Sequence, residues 1–157
     1  MAQKFYLTKK GLAQLKREYQ KLKTRKLALL REGAPPAFHS EEINPEYLAF
    51  KEEIEILNSK IEEIEQVLKN YRLIKLPPKS KRKVVDYGAT VTLVDEEGKI
   101  NEVTILSPIE ANPNEGKISA ESPLGKALLG KKVGEEVELS WPSSVKYKIK
   151  KIKYLLS

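Results

Sequence analysis

The sequence contains no cysteine, so the chain can form no disulfide bond and offers no thiolate as a nucleophile or metal ligand. This absence fits a reducing compartment, and we expect the protein to be cytoplasmic. Apolar runs are only a few residues long, which argues against a membrane-spanning helix. The opening residues, MAQKFYLTKK, have no apolar stretch followed by a small-residue cleavage site, so the sequence predicts no signal peptide.

The sequence also lacks the motifs of an independent enzyme. It has no glycine-rich phosphate loop, no nucleophile elbow and no cluster of His and Cys residues. Its single histidine, His39, lies beside acidic residues, where it could bind a metal or transfer a proton. A single histidine in a loop is more often simply exposed. We therefore do not expect the chain to be an enzyme by itself.

Charged residues are plentiful and unevenly distributed. The 29 Lys and Arg residues outnumber the 22 Asp and Glu residues and give a formal charge of +7, which suggests an anionic partner. Residues 1–31 contain ten basic residues and one acid, whereas residues 45–70 contain seven glutamates and three lysines. The two segments are therefore complementary in charge.

Both of these segments have the apolar spacing of long amphipathic helices. The apolar residues recur every three or four positions, with one polar interruption at Lys26 in the first segment. In the first segment they are Leu12, Leu15, Tyr19, Leu22 and Leu29, and in the second they are Phe50, Ile54, Leu57, Ile61, Ile64, Leu68 and Tyr71. A short connection between two such helices favours an antiparallel coiled-coil hairpin. We assign residues 1–74 to this hairpin.

Local signals predict where the two helices begin and end. Thr8 and Asn44 are candidate N-caps, and Pro45 follows Asn44 at the first helical position, where its fixed φ is helical. Gly33 and the prolines at 35 and 36 end the first helix. The stretch between the helices, GAPPAFHSEEINPEY, contains no lysine or arginine, so the end of the hairpin is predicted to be acidic.

The second half of the chain has a different pattern. A basic, proline-containing linker at residues 75–83 is followed by segments that alternate apolar and polar residues, namely GATVTLVD, INEVTILS, VGEEVELSW and VKYKIKKIKYL. Ser122 and Pro123 can begin one short helix, which Gly130 ends. Residues 84–157 are therefore predicted to form an α+β domain dominated by antiparallel strands.

Several segments, in this order, resemble the bacterial GreA/GreB family of transcript cleavage factors. They are FYLTKKGLAQLKREYQKL, an N-x-E-Y element at residues 44–47, GATVTLVDEEG, SPLGKALLGKKVGE at residues 122–135, and KIKKIKYL. The most specific of them is SPLGKALLGKKVGE. The resemblance implies a coiled-coil hairpin followed by an FKBP-like α+β domain. It also implies a transcription elongation factor that docks on core RNA polymerase, inserts the hairpin into the secondary channel and stimulates Mg²⁺-dependent cleavage of backtracked transcripts.

The acidic tip departs from the family pattern. That pattern usually reads D-L-x-E-N-A-E-Y, and its two acids fall on Ser40 and Ile43 when the N-x-E-Y elements are aligned. Glu41 and Glu42 lie beside these positions and are the candidate catalytic residues and Mg²⁺ ligands. No stably bound cofactor is expected, because the resemblance implies that Mg²⁺ is shared with the polymerase. The presence of both glutamates also has an explanation that needs no metal. Glutamates in a polar turn are ordinarily exposed to solvent, and they interact favourably with the dipole of the following helix.

The resemblance suggests two further sets of site residues. Ser122, Pro123, Leu124 and Gly125 are candidates for polymerase docking, although a capped helix start accounts for the same residues. Arg17, Lys21 and Arg25 are candidates for neutralising phosphates of the nascent RNA 3′ segment. Their alternative role is pairing with glutamates of the second helix. The expected partners are core polymerase and RNA, with no membrane, and the protein is expected to be a monomer.

Two alternatives to a cleavage factor remain open at this point. One is a family member that occupies the channel and modulates or inhibits polymerase without promoting cleavage, because Ser40 and Ile43 cannot act as carboxylates. The other is a coiled-coil adaptor for nucleic acid or protein that is unrelated to polymerase. Transcript shortening separates the first alternative from a cleavage factor, and polymerase binding separates the second.

Overall fold

Two long helices dominate the first half of the chain, and a five-stranded sheet dominates the second. The computed structural model describes residues 4–140 and 143–154. In chain order the elements are β1 (Phe5–Leu7), α1 (Lys9–Glu32), β2 (Phe38–His39), β3 (Glu42–Ile43), α2 (Pro45–Lys69), β4 (Tyr71–Leu73), a 3-10 helix (Lys79–Lys81), β5 (Ala89–Asp95), β6 (Ile100–Leu106), a second 3-10 helix (Pro113–Glu115), β7 (Lys117–Ser119), α3 (Pro123–Leu128), β8 (Glu136–Leu139) and β9 (Val145–Tyr154). No helix in the described part is long and apolar enough to span a membrane.

The predicted caps of the two long helices are confirmed. Thr8 Oγ1 accepts a hydrogen bond of 2.9 Å from the backbone N–H of Gly11 at the start of α1. Asn44 Oδ1 accepts one of 3.0 Å from the backbone N–H of Glu46 at the start of α2. Each side chain thus satisfies a backbone donor that has no partner within the helix. The first helix ends before Gly33, whose φ of 81° lies in the left-handed region.

Contacts between α1 and α2 confirm the antiparallel hairpin. Tyr19 Oη donates a hydrogen bond of 2.9 Å to Glu65 Oε1. Further along α1, Arg25 Nη2 lies 2.8 Å from Oε1 of Glu53, which is earlier in α2. Residues later in one helix therefore meet residues earlier in the other. The most deeply buried apolar residues of the pair are Leu15, Leu29, Leu57, Ile64 and Val67. All of these except Val67 belong to the predicted apolar seams.

The five-stranded sheet confirms the predicted α+β domain. Its strand order is β7-β6-β5-β9-β8, and only the β6–β7 pair is parallel. The predicted strands correspond to β5, β6, β8 and β9, whereas the three-residue strand β7 was too short for its pattern to be recognised. The buried core consists of Val85, Ala89, Val91, Leu93, Ile105, Ala120, Leu128, Val137 and Ile149. Trp141, at the end of a predicted strand, lies outside the described residues.

Residue contacts divide the chain into two compact units. The first contains Leu12–Tyr71, and the second contains Phe5–Gly11 together with the chain from Arg72 onward. Strand β1 therefore belongs with the second unit, although the sequence analysis assigned it to the hairpin. The reason is that β1 pairs with β4, where the backbone N–H of Ile74 donates to Leu7 O at 2.8 Å. The side chain of Leu7 is fully buried.

Glu110 stabilises the chain segment around Thr8 within the second unit. Its Oε2 accepts a hydrogen bond of 2.8 Å from the backbone N–H of Thr8, and its Oε1 accepts one of 2.5 Å from Thr8 Oγ1. Gly11 leaves room for this carboxylate, because a Cβ there would lie 2.0 Å from Glu110 Oε1. The Glu110 side chain thus provides a hydrogen-bond acceptor for a backbone N–H beside the start of α1.

We expect Glu110→Ala to lower the free energy of unfolding by about 1–3 kcal/mol, because it leaves the partly buried donors of Thr8 without an acceptor. Thermal unfolding followed by calorimetry measures the change. Glu115→Ala is the matched control, since Glu115 makes an exposed ion pair of 3.1 Å with Lys117 that is worth about 0–1 kcal/mol. Equal losses in the two variants would contradict the role of Glu110.

Candidate functional site at the helix connection

The connection between α1 and α2 is a tight β-hairpin. Strands β2 and β3 pair antiparallel, with His39 opposite Glu42 and Phe38 opposite Ile43. The two residues between the strands form the turn. The sequence indicated a polar turn at this position but not these strands, because each strand is only two residues long. The backbone of the acidic segment is therefore ordered by cross-strand pairing.

The turn has an unusual backbone conformation. Ser40 has a φ of 57° and is the one non-glycine residue with a positive φ in the part of the chain that the structure describes. A positive φ at the first central residue is typical of the two-residue hairpin turns that follow strand twist, although glycine usually occupies it. Glu41 is the second turn residue, so its carboxylate is carried at the end of the hairpin.

Asn44 holds the two arms of the connection together. Only 1% of its surface is exposed. Its Nδ2 donates a hydrogen bond of 2.7 Å to Pro36 O, and its backbone N–H donates one of 2.9 Å to Ala37 O. The same side chain caps α2. The sequence predicted the cap but missed this second role, because the contact with Pro36 exists only when the chain has folded back.

Glu41 and Glu42 face solvent without a cationic partner. Both residues are exposed, and no ion pair found between described residues involves either of them. No lysine or arginine occurs from residue 33 to residue 47. Two adjacent, unpaired carboxylates create a negative local potential, which attracts cations.

The described tip offers two adjacent carboxylates as candidate metal ligands, at Glu41 and Glu42. No group of three or more His, Cys, Asp or Glu side chains able to hold a metal is found in residues 4–140 and 143–154. Mg²⁺ in phosphoryl-transfer sites usually keeps several waters and takes one or two carboxylates together with substrate oxygens. Glu41 and Glu42 could supply those carboxylates. His39, opposite Glu42, carries a nitrogen ligand that suits Mg²⁺ less well.

The candidate basic residues lie along one face of α1. Arg17, Lys21 and Arg25 are spaced four residues apart and are exposed. Arg25 contacts Glu53 of α2 through both Nε and Nη2, at 3.0 and 2.8 Å, so the pairing interpretation holds for this residue. Among the described residues, no ion pair involves Arg17 or Lys21. These two remain candidates for an anionic partner.

The candidate docking residues form the start of α3. Ser122 Oγ accepts a hydrogen bond of 3.1 Å from the backbone N–H of Gly125 and donates one of 2.6 Å to Ser119 O. Gly125 is buried, and a Cβ there would lie 2.1 Å from Ser119 O. Leu124 packs against the core. Capping and packing therefore explain three of the four residues, and Pro123 alone belongs to the exposed class.

Comparison with known proteins identifies the family. The family model "Transcription elongation factor, GreA/GreB, C-term" matches residues 79–154. Transcription elongation factor GreA of Thermomicrobium roseum is 39% identical over 139 residues, covering 87% of this chain and 88% of that protein. The GreA of Caldanaerobacter subterraneus subsp. tengcongensis is 40% identical over 157 residues, covering 98% of this chain and 99% of that protein. The chain belongs to the GreA/GreB family.

Among solved structures, the crystal structure of GreA factor homolog 1 (Gfh1) of Thermus thermophilus is similar, with 28% identity and a TM-score of 0.43 over 96% of this chain and 99% of that one.

Membership in the GreA/GreB family makes the tip sequence informative. The two positions at which the family pattern has acids are occupied by Ser40 in the turn and by Ile43, which is 55% exposed. Both positions face solvent, but neither carries a carboxylate.

Proposed function

We propose that this elongation factor binds bacterial core RNA polymerase and stimulates Mg²⁺-dependent cleavage of backtracked transcripts. The polymerase supplies the active site, so the factor is not an enzyme by itself. It acts as a monomer in the cytoplasm. The observation that carries the proposal is the pair of unpaired carboxylates, Glu41 and Glu42, on an ordered β-hairpin at the end of two long helices in a GreA/GreB chain.

The helical hairpin is long and narrow. Helix α2 contains 25 residues, which at 1.5 Å per residue gives a length of about 38 Å. Two antiparallel helices are narrow enough to enter a channel, and they present the β2–β3 connection at their far end. The buried Asn44 and the cross-strand pairs limit the motion of this end. Limited motion favours catalysis, since a small displacement of a catalytic group strongly lowers the rate of the reaction.

The chain's own residues have simple roles in this mechanism. Bound Mg²⁺ supplies a Lewis acid that activates water and stabilises charge on the phosphate oxygens. Glu41 and Glu42 would hold that ion through their carboxylate oxygens, and a carboxylate oxygen not bound to the ion could accept a hydrogen bond from water. Arg17 and Lys21 neutralise RNA phosphates from the exposed face of α1. Such contacts are independent of sequence and weaken as salt concentration rises.

The second unit carries the proposed docking surface around Pro123. We expect Pro123→Glu to weaken binding to core polymerase by at least tenfold, or about 1.4 kcal/mol, because a charge placed inside an interface must be desolvated. Glutamate is compatible with the first helical position, so the fold should persist. The dissociation constant of the labelled factor measures the effect.

Pro113→Glu is the matched control for this experiment. Pro113 is also exposed and also occupies the first position of a short helix in the second unit. The Pro113→Glu variant should bind polymerase as the unmodified protein does. If both variants bind equally well, docking occurs elsewhere on the molecule.

One observation favours a second candidate function. Because Ser40 and Ile43 replace the acids of the family pattern, the factor could occupy the polymerase channel and slow elongation without promoting cleavage. A halted, backtracked complex separates the two functions. Shortening of the transcript from its 3′ end supports the cleavage factor, whereas slower elongation without shortening supports the modulator. Failure to bind polymerase at all would contradict both functions.

A further inference from the structure

Two basic segments that are distant in sequence meet in the second unit. Residues 79–83 read KSKRK, and a second basic pair, Lys131 and Lys132, follows α3. Val84 forms an antiparallel bridge with Lys132. The adjacent Val85 backbone N–H donates a hydrogen bond of 2.9 Å to Lys131 O. We call the resulting group the cationic cluster, and it consists of Lys79, Lys81, Arg82, Lys83, Lys131 and Lys132.

The first segment of the cationic cluster is folded rather than extended. The backbone N–H of Lys81 donates to Pro78 O at 2.8 Å, and Arg82 Nε donates to Pro77 O at 2.8 Å. A 3-10 helix occupies Lys79–Lys81. Since such a helix rises about 2.0 Å per residue, its three residues extend over only about 6 Å. Four positive charges are therefore held close together before those of the second segment are added.

The cationic cluster is not neutralised by carboxylates of the described chain. Lys79, Lys81, Lys83 and Lys132 are exposed, and no ion pair found between described residues involves any member of the cluster. Glu135 adds one negative charge beside the six positive ones, and its Oε2 accepts a hydrogen bond from the backbone N–H of Lys132. Like charges held together without partners repel one another, and an anionic ligand relieves this repulsion.

We propose that the cationic cluster binds the phosphate backbone of duplex DNA without sequence preference. Duplex DNA carries one negative charge per about 1.7 Å of its axis, twice the density of one strand. This dense phosphate charge suits a cluster that combines two basic segments joined by backbone pairing. A protein partner is less suitable, since lysine is depleted in protein–protein interfaces. The site is separate from the glutamates of the tip, so it does not depend on the proposed cleavage function.

The test measures binding of a fluorescein-labelled 20-base-pair duplex to the full chain by anisotropy at several salt concentrations. The cluster variant is Lys79→Gln/Lys81→Gln/Lys83→Gln/Lys132→Gln. The control variant changes four exposed lysines of β9, namely Lys146→Gln, Lys148→Gln, Lys150→Gln and Lys151→Gln. Each variant lowers the formal charge from +7 by four, to +3. Circular dichroism and thermal unfolding establish that both are folded.

We expect the cluster variant to bind duplex DNA at least tenfold more weakly than the control variant. The plot of the logarithm of the binding constant against the logarithm of the salt concentration has a negative slope. The magnitude of this slope should be smaller by about 3–4 in the cluster variant, because each lost phosphate contact reduces it by about 0.9. A single-stranded RNA of equal length should bind more weakly to the unmodified protein than the duplex does. Equal weakening in both variants would show that net charge alone drives binding. That result, absence of duplex binding at low salt, or preference for the RNA would overturn the proposal.

Discussion

Replacing Glu41 and Glu42 together by alanine is expected to slow cleavage of a backtracked transcript by about 100-fold or more. Loss of about 2.7 kcal/mol of transition-state stabilisation corresponds to that factor, and a metal ligand that acts in the transition state contributes on this scale. Both side chains are exposed and unpaired, so the change should leave the fold intact. The measurement is the rate of 3′-end shortening in a halted complex, with Mg²⁺ and saturating factor.

The matched control for this prediction is Glu52→Ala/Glu55→Ala. These two glutamates are exposed on α2, and their removal changes the net charge by the same amount. Cleavage should proceed at the unmodified rate in the control, and both double variants should bind polymerase as before, since the changes lie outside the second unit. If the tip variant cleaves as fast as the unmodified factor, the carboxylates of Glu41 and Glu42 are not catalytic.

Acids placed at the family positions are expected to restore cleavage to the inactive tip. We predict that Ser40→Asp/Ile43→Glu, added to Glu41→Ala/Glu42→Ala, raises the cleavage rate at least tenfold, which needs only about 1.4 kcal/mol of transition-state stabilisation. Aspartate tolerates the positive φ of 57° at position 40 better than most residues do. Position 43 is 55% exposed, so a glutamate there stays hydrated. The same assay of 3′-end shortening measures the rescue.

Neutral side chains of the same shape provide the control for the rescue. Ser40→Asn/Ile43→Gln in the same background should leave cleavage at the low rate, because amides cannot replace carboxylates as Mg²⁺ ligands and proton acceptors of comparable strength. Rescue by the amides would mean that backbone conformation, rather than charge, limits the inactive tip. Absence of rescue by the acids would mean that the two family positions do not reach the reacting phosphate in this protein.

Much of the helical hairpin could be predicted from sequence because its signals are local. The seams repeat within a few residues, so Leu15, Leu29, Leu57 and Ile64 were expected to be buried and are buried. The caps at Thr8 and Asn44 act on backbone N–H groups two or three residues away. The alternating pattern of β5 and β9 likewise reports burial on one face of the sheet. Short strands such as β2, β3 and β7 carry too few residues to show such a pattern.

The candidate site was predicted only in part. The sequence located an acidic stretch without lysine or arginine, and the family resemblance directed attention to Glu41 and Glu42. It did not indicate that Ser40 adopts a positive φ or that Asn44 contacts Pro36, because both features arise when the two arms of the connection pair. The sequence also offered Ser122 and Gly125 as docking residues. The structure shows the capping role of Ser122 and the close packing of Gly125, and their role in docking stays a prediction.

The sequence by itself determined the elements whose information is local, namely the two helices, their caps, the four longer strands and the acidic stretch between the helices. Only the tertiary structure decided which distant groups meet. Pairing of β1 with β4, the contact of Glu110 with Thr8, and the approach of Lys132 to Val84 each join residues far apart in the chain. The physical reason is that a local pattern reports which face of an element is buried, whereas the identity of its neighbour depends on how all elements pack together.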